Sequence, residues 1–167
     1  MSLDTVSQKT WGQTVFHDFD SDTHTQKDDC KAFKSTLIDH DYTDKAICKA
    51  LSIESLNDIS SGYYHYYDQY VLTKSSAHDL IRLFLIAMPL DDKTIHGLFD
   101  KKDIQQLQAW GILIEDKETS QWRSQVQVFP FLEHYFVTDL AHLYLLWPQI
   151  KASDPVMYIG EDSQGLV

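Results

Sequence analysis

The sequence predicts an α+β fold, mainly α: a helical hairpin followed by a winged-helix-like unit with a small β-hairpin or antiparallel sheet. Three observations carry that prediction. From Lys27 onward apolar residues recur at helical spacing, first Cys30, Phe33 and Leu37, then Ile47 and Leu51 behind Thr43, which can cap a second helix. Between Ser75 and Gly111 three further helical stretches follow, each bounded by a capping residue or a breaker. After Gly111, the run Ile112 to Ile114, a polar turn, and the alternation of Trp122, Ser124, Val126 and Val128 spell a β-hairpin. Three helices and then a two-stranded hairpin is the winged-helix order.

The elements divide the chain into an acidic polar arm (1–26), a helical hairpin (27–60), a winged-helix-like module (61–130), and a strand with a lead-in to further chain (131–167). In the arm, Trp11 and Phe16 are large apolar anchors. Asp18, Asp20 and Asp22 alternate there as in a calcium-binding loop, but Thr23 stands where the sharp turn needs glycine and Asp29 where the bidentate glutamate belongs, so a solvated acidic segment is expected and no metal site. Cys30 and Cys48 are too few for a disulfide framework, and each is expected on an apolar helix face as a small buried hydrophobe. The stretch GYYHYYDQYVL resembles a base-stacking platform. Its spacing predicts core instead, because Tyr63, Tyr66, Tyr67 and Tyr70 fall at i, i+3, i+4 and i+7.

The winged-helix-like helices follow. Ser76 and Asp79 have capping-box spacing before DLIRLFLIAMP, apolar nearly all round and ended by Pro89, which predicts a central buried helix. LDDKTIHGLF predicts a short helix capped by Asp91 or Asp92 and broken at Gly97. DKKDIQQLQAWG predicts a third helix with Ile104 and Leu107 inward and Gly111 as its stop. In DNA-binding winged helices that third helix enters the major groove. Here Lys101, Lys102, Gln105, Gln106 and Gln108 lie on it and Arg123 on the wing, yet Asp100, Asp103, Glu115, Asp116 and Glu118 surround them. With 14 Lys and Arg against 25 Asp and Glu, a net charge of −11 opposes phosphate and anionic lipid alike. A protein-contacting domain is the expected reading; DNA and membrane are not the expected partners. No apolar run approaches the ~20 residues of a membrane span. The start lacks the basic and apolar regions of a signal peptide. A cytoplasmic protein with reduced thiols is expected.

Beyond the hairpin, a strand is expected around Tyr135 to Thr138, then an apolar segment ended by Pro148. The order of TLIDHDYTDKAICKAL, DLIRLFLIAMPL, LQAWGILI, HYFVTDL and YIGEDSQGLV, spanning residues 28–167, is similar to the N-terminal region of a family of bacterial class I S-adenosylmethionine-dependent methyltransferases that resemble the glutamine and guanine N-methyltransferases. Thr138, Asp139 and Leu140 match that family's Ser-Asp-Leu strand end with Thr for Ser, and Gly160 and Ser163 match its lead-in segment. The acidic arm is a departure from the pattern.

The resemblance implies an N-terminal accessory and substrate-recognition domain, inert by itself, of a protein that is a methyltransferase at full length. Its partners would be its own C-terminal methyltransferase domain and a macromolecular methyl acceptor, protein or RNA. These 167 residues would hold no cofactor; S-adenosylmethionine is expected for the full-length protein, with Gly160, Asp162 and Ser163 adjacent to it. The sequence contains neither a glycine-rich turn after a strand nor an Asn-Pro-Pro motif, and the last twelve residues read as a strand and turn leading onward. No catalytic constellation emerges. Lys101, Lys102 and Arg123 are the expected substrate-contacting residues. The alternative is a complete winged-helix binding protein, a transcriptional regulator or an interaction adaptor without enzyme activity.

Overall fold

The computed structural model describes residues 23–140. The acidic arm before residue 23, the apolar segment ended by Pro148 and the lead-in residues Gly160, Asp162 and Ser163 lie outside the described residues. Helix α1 (Thr23–Asp39) turns at Asp41, in the left-handed region, into α2 (Asp44–Leu51). Thr43 caps α2 by accepting from Ala46 N at 3.2 Å, and Ile47 and Leu51 are buried, as expected. On the inward face of α1, Phe33 and Leu37 stand as expected and Cys30 does not. Leu37 is buried and Phe33 packs on the core, but Asp29 lies between helices while Cys30 is exposed. Residues 29, 33 and 37 follow the helix at intervals of four, and Cys30 falls beside that line. Cys48, by contrast, is partly buried against the core.

The tyrosine stretch corrects the buried-stripe expectation. Tyr67 is buried, but Tyr63, Tyr66 and Tyr70 are 59%, 53% and 77% exposed. The short helix α3 (Tyr64–Tyr66) passes into a π-helical turn (Tyr67–Val71), and the inward residues are Tyr64, Tyr67 and Val71. Tyrosines occupy both faces of the segment, so spacing alone selects neither.

Three helices then build the winged-helix unit. In α4 (Ser76–Leu80) the cap is Ser75, accepting from His78 N at 3.3 Å, rather than Ser76; Asp79 turns instead to Arg82. A π-helical turn (Ile81–Leu85) continues α4 and buries Ile81, Leu83, Phe84 and Leu85, the centre of the core. The two-residue strand β1 (Leu90–Asp91) leads into α5 (Asp92–Leu98), capped by Asp91. Gly97 does not break α5; a Cβ there would meet nothing within 4 Å. Helix α6 (Lys101–Ala109) is capped by Asp100, buries Ile104 and Leu107, and ends before Gly111, whose φ of 65° takes the left-handed stop.

Strands β2 (Leu113–Asp116) and β3 (Gln121–Ser124) form the wing, and β1 pairs with β3 to give an antiparallel sheet in the order β1-β3-β2. The continuous strand expected from Trp122 to Val128 is two strands in two sheets. Gln125 N donates to Ile112 O at 2.9 Å, and the buried Ser124 hydroxyl accepts from Val126 N at 3.3 Å. Past that corner, β4 (Val126–Phe131) pairs only with β5 (His134–Asp139), the strand expected near Tyr135. The mainly α, α+β class and the winged-helix arrangement therefore stand as expected, with this second two-stranded sheet added.

Phe131 pairs with His134, so Leu132 and Glu133 make a two-residue hairpin loop. Both have positive φ, 47° and 64°, the requirement of a turn that glycine and asparagine fill at least cost. Leu132 is also 56% exposed. Replacing the pair by Asn-Gly (Leu132→Asn with Glu133→Gly) is expected to stabilise the protein by about 1 kcal/mol. Chemical denaturation checks this; a lower midpoint for the variant would mean that the leucine makes a stabilising contact.

Candidate functional site

The expected substrate-contacting cations sit at two places. Lys101 and Lys102 occupy the first turn of α6, both exposed, and Arg123 is exposed on β3 opposite Ile114. Helix α1 lies against α6: Phe33 meets Trp110 edge-on at 6.4 Å, and Lys102 Nζ reaches Asp29 Oδ1 at 3.3 Å. The groove between them, floored by Phe33, Leu107 and Trp110, holds a cavity of about 10 Å³. That is room for about one water and no more.

Charge at this helix start is dominated by carboxylates. Asp103 is raised above the usual aspartate range, first by burial and then by Asp100, with Asp29 adding to the effect and Lys102 opposing it. On the wing, Asp116 is held below that range chiefly by hydrogen bonds from the Glu118 backbone and from Thr119, with Arg123 contributing least. The free polar face of α6 is Lys101, Gln105 and Gln108. Two lysines whose field is largely cancelled on the spot are poorly placed to gain from counterion release on a phosphate backbone.

Other reactive groups serve the fold. His78 Nδ1 accepts from Thr73 N at 2.8 Å, and His40 Nε2 lies 3.1 Å from Leu98 O. His96 Nδ1 is within 3.3 Å of Asp92, whose carboxylate also accepts from Trp122 Nε1 at 3.0 Å, tying α5 to the wing. Burial pushes the Cys48 thiol up, away from the thiolate a nucleophile needs. Among the described residues, no group of three or more His, Cys, Asp or Glu could hold a metal ion, and no helix is long and apolar enough to cross a membrane.

Among the described residues, no glycine marks a close backbone approach of the kind a glycine-rich cofactor turn uses. Such a turn requires glycines that let backbone approach the ligand. A Cβ on Gly62 would come no closer than 3.7 Å to a neighbour, one on Gly97 would meet open space, and Gly111 ends a helix. Two features of the surface escaped the sequence reading: the pairing of Lys102 with Asp29, 73 residues away, and the exposed tyrosines. No family model, curated protein or solved structure matches the chain.

Proposed function

We propose that the chain is the N-terminal accessory domain of a cytoplasmic S-adenosylmethionine-dependent methyltransferase, a winged-helix module that holds a macromolecular methyl acceptor, protein or RNA, for a catalytic domain C-terminal to it. The observation that carries this over a DNA-binding regulator is the packing of α1 along α6. The helix that a regulator would insert into a groove is backed by Phe33 and Asp29, with Lys102 engaged and Asp100 and Asp103 beside it. A winged helix in this state favours a protein-facing role. Lys101 and Arg123, exposed cations on helix and wing, are the contacts proposed for the acceptor, with Lys102 available to it once Asp29 is displaced.

The methyl donor would be held by residues outside those described here; the part of this domain would be to bind and orient the acceptor. The exposed tyrosines favour a second reading, a binding adaptor without enzyme activity. Calorimetric titration of S-adenosylmethionine separates the two, performed on the 167 residues and on the protein expressed from its full native reading frame. Binding by the full-frame protein alone is the expected result. Absence of binding by both would overturn the methyltransferase reading and leave the adaptor.

A further inference from the structure

We propose that Tyr63, Tyr66 and Tyr70 form a docking surface for a cationic peptide segment, bearing arginine or lysine, of a partner protein. This inference does not depend on the methyltransferase reading. The three side chains follow one another at i, i+3 and i+7 and are all more than half exposed. Tyr66 and Tyr70 lie with ring centroids 5.6 Å apart, and the buried Tyr67 underlies them, 6.2 Å from Tyr66 and 6.3 Å from Tyr63. Tyr66 and Tyr70 thus touch directly, and Tyr63 joins them through Tyr67.

The backbone that carries Tyr70 is held before any partner arrives. The π-helical turn that carries Tyr70 is held by Arg82, whose guanidinium donates to Asp68 Oδ1 at 2.8 Å and to Leu72 O at 2.6 Å. A held backbone loses little freedom on docking, which favours affinity.

Charge selects the occupant. From Ser52 to Thr73 the chain has three carboxylates, Glu54, Asp58 and Asp68, of which Asp68 is paired with Arg82, and no lysine or arginine; the exposed Lys74 follows, four residues past Tyr70. Arg82 is turned inward to Asp68 and Asp79, its side chain 14% exposed. Aromatic ring faces carry a negative quadrupole that attracts ammonium and guanidinium groups. A single-stranded nucleic acid would use the same rings for stacking but needs several cations along its backbone, and beside this stretch Lys74 is a single one. A second copy of the chain brings a net charge of −11 to a surface of the same sign. A basic peptide is the one occupant that satisfies both the rings and the field.

The test is fluorescence anisotropy with the whole chain and three labelled probes: a peptide of alternating arginine and glycine, one of alternating glutamate and glycine, and an oligouridylate. The arginine peptide is expected to bind, more weakly as salt rises, and the other two to bind far less. Replacing all three tyrosines by alanine (Tyr63→Ala, Tyr66→Ala, Tyr70→Ala) is expected to weaken it about tenfold or more, and replacing all three by phenylalanine to leave it within about twofold, because the ring faces remain. Should the triple alanine variant fail to fold, Tyr70→Ala alone, at the most exposed ring, is expected to lower affinity about threefold. Failure of the arginine peptide to bind, equal binding by the native and alanine proteins, or tighter binding of the oligouridylate would overturn the proposal.

Discussion

Tyr42→Ala is expected to destabilise the protein by about 3–5 kcal/mol, because it opens a large cavity and also leaves a buried carbonyl without its donor. Tyr42 is fully buried at the end of the α1–α2 connection. Its hydroxyl donates to Val128 O at 2.7 Å, and its own carbonyl accepts from Tyr135 Oη at 2.7 Å. Its ring stacks on Tyr135 at 6.3 Å and meets Phe84 edge-on at 6.3 Å. One residue thus fastens the helical hairpin to β4, to β5 and to the central turn of the winged-helix unit. Tyr42→Phe keeps the ring and is expected to cost about 1–2 kcal/mol for the lost buried hydrogen bond.

The same side chain sets an alkaline limit. Burial, reinforced by Tyr135, pushes the Tyr42 phenol well above its ordinary value of 10.0. Above pH 10 the unfolded chain therefore releases this proton while the folded one keeps it, so the unfolded state binds fewer protons and stability falls as pH rises. Below pH 10 the contribution is complete. Tyr64 and Tyr135 are raised by burial in the same sense, so Tyr42→Phe is expected to shallow the alkaline loss without removing it. Denaturation midpoints of both proteins across that range check the sign. Parallel curves would show that the Tyr42 phenol is as ionisable in the folded protein as in the unfolded one.

What the sequence disclosed and what it withheld follow from the range of the interactions concerned. Thr43 and Asp91 were legible as caps because each bonds a backbone amide three residues on. Ile104 and Leu107 were legible because α6 has apolar residues on one face only. The tyrosine segment was not, since rings on both faces give the same spacing whichever face turns inward, and the change to π-helical winding alters the phase besides. Strand β1, at two residues, is too short to carry a period, yet its pairing with β3 completes the winged-helix sheet. The split between β3 and β4 turns on Ser124, whose place in the alternation is that of an ordinary strand residue. At the candidate site, the cations on α6 and the wing were readable as residue types in a helix and a strand. The partner of Lys102 was not, because Asp29 reaches it only through the packing of α1 on α6.

Arg82→Met is expected to cost about 3–5 kcal/mol, the loss typical of a buried ion network deprived of its central charge. The Arg82 side chain is 14% exposed. It donates to Asp68 Oδ1 at 2.8 Å, Asp79 Oδ1 at 3.0 Å, Leu72 O at 2.6 Å and Thr73 O at 2.9 Å. Those four acceptors lie on the tyrosine-bearing turn, the connection after it, and α4. No other geometry on a single side chain satisfies them together: lysine supplies the charge without the planar fork, so Arg82→Lys is expected to lose about 1–3 kcal/mol. Much of the cost in Arg82→Met comes from two partly buried carboxylates left without their shared guanidinium. Neutralising them in the same protein (Asp68→Asn with Asp79→Asn) is therefore expected to recover part of the loss, although each substitution alone in the native background destabilises. Hydrogen exchange gives the spatial readout. Amides of residues 67–73 are expected to lose protection in Arg82→Met more than those of α6, since the arginine holds the former and does not touch the latter. Uniform loss across both regions would mean that Arg82 supports the core as a whole, and that the tyrosine surface owes its shape to Tyr67 and Leu72 packing inward, both of which are buried.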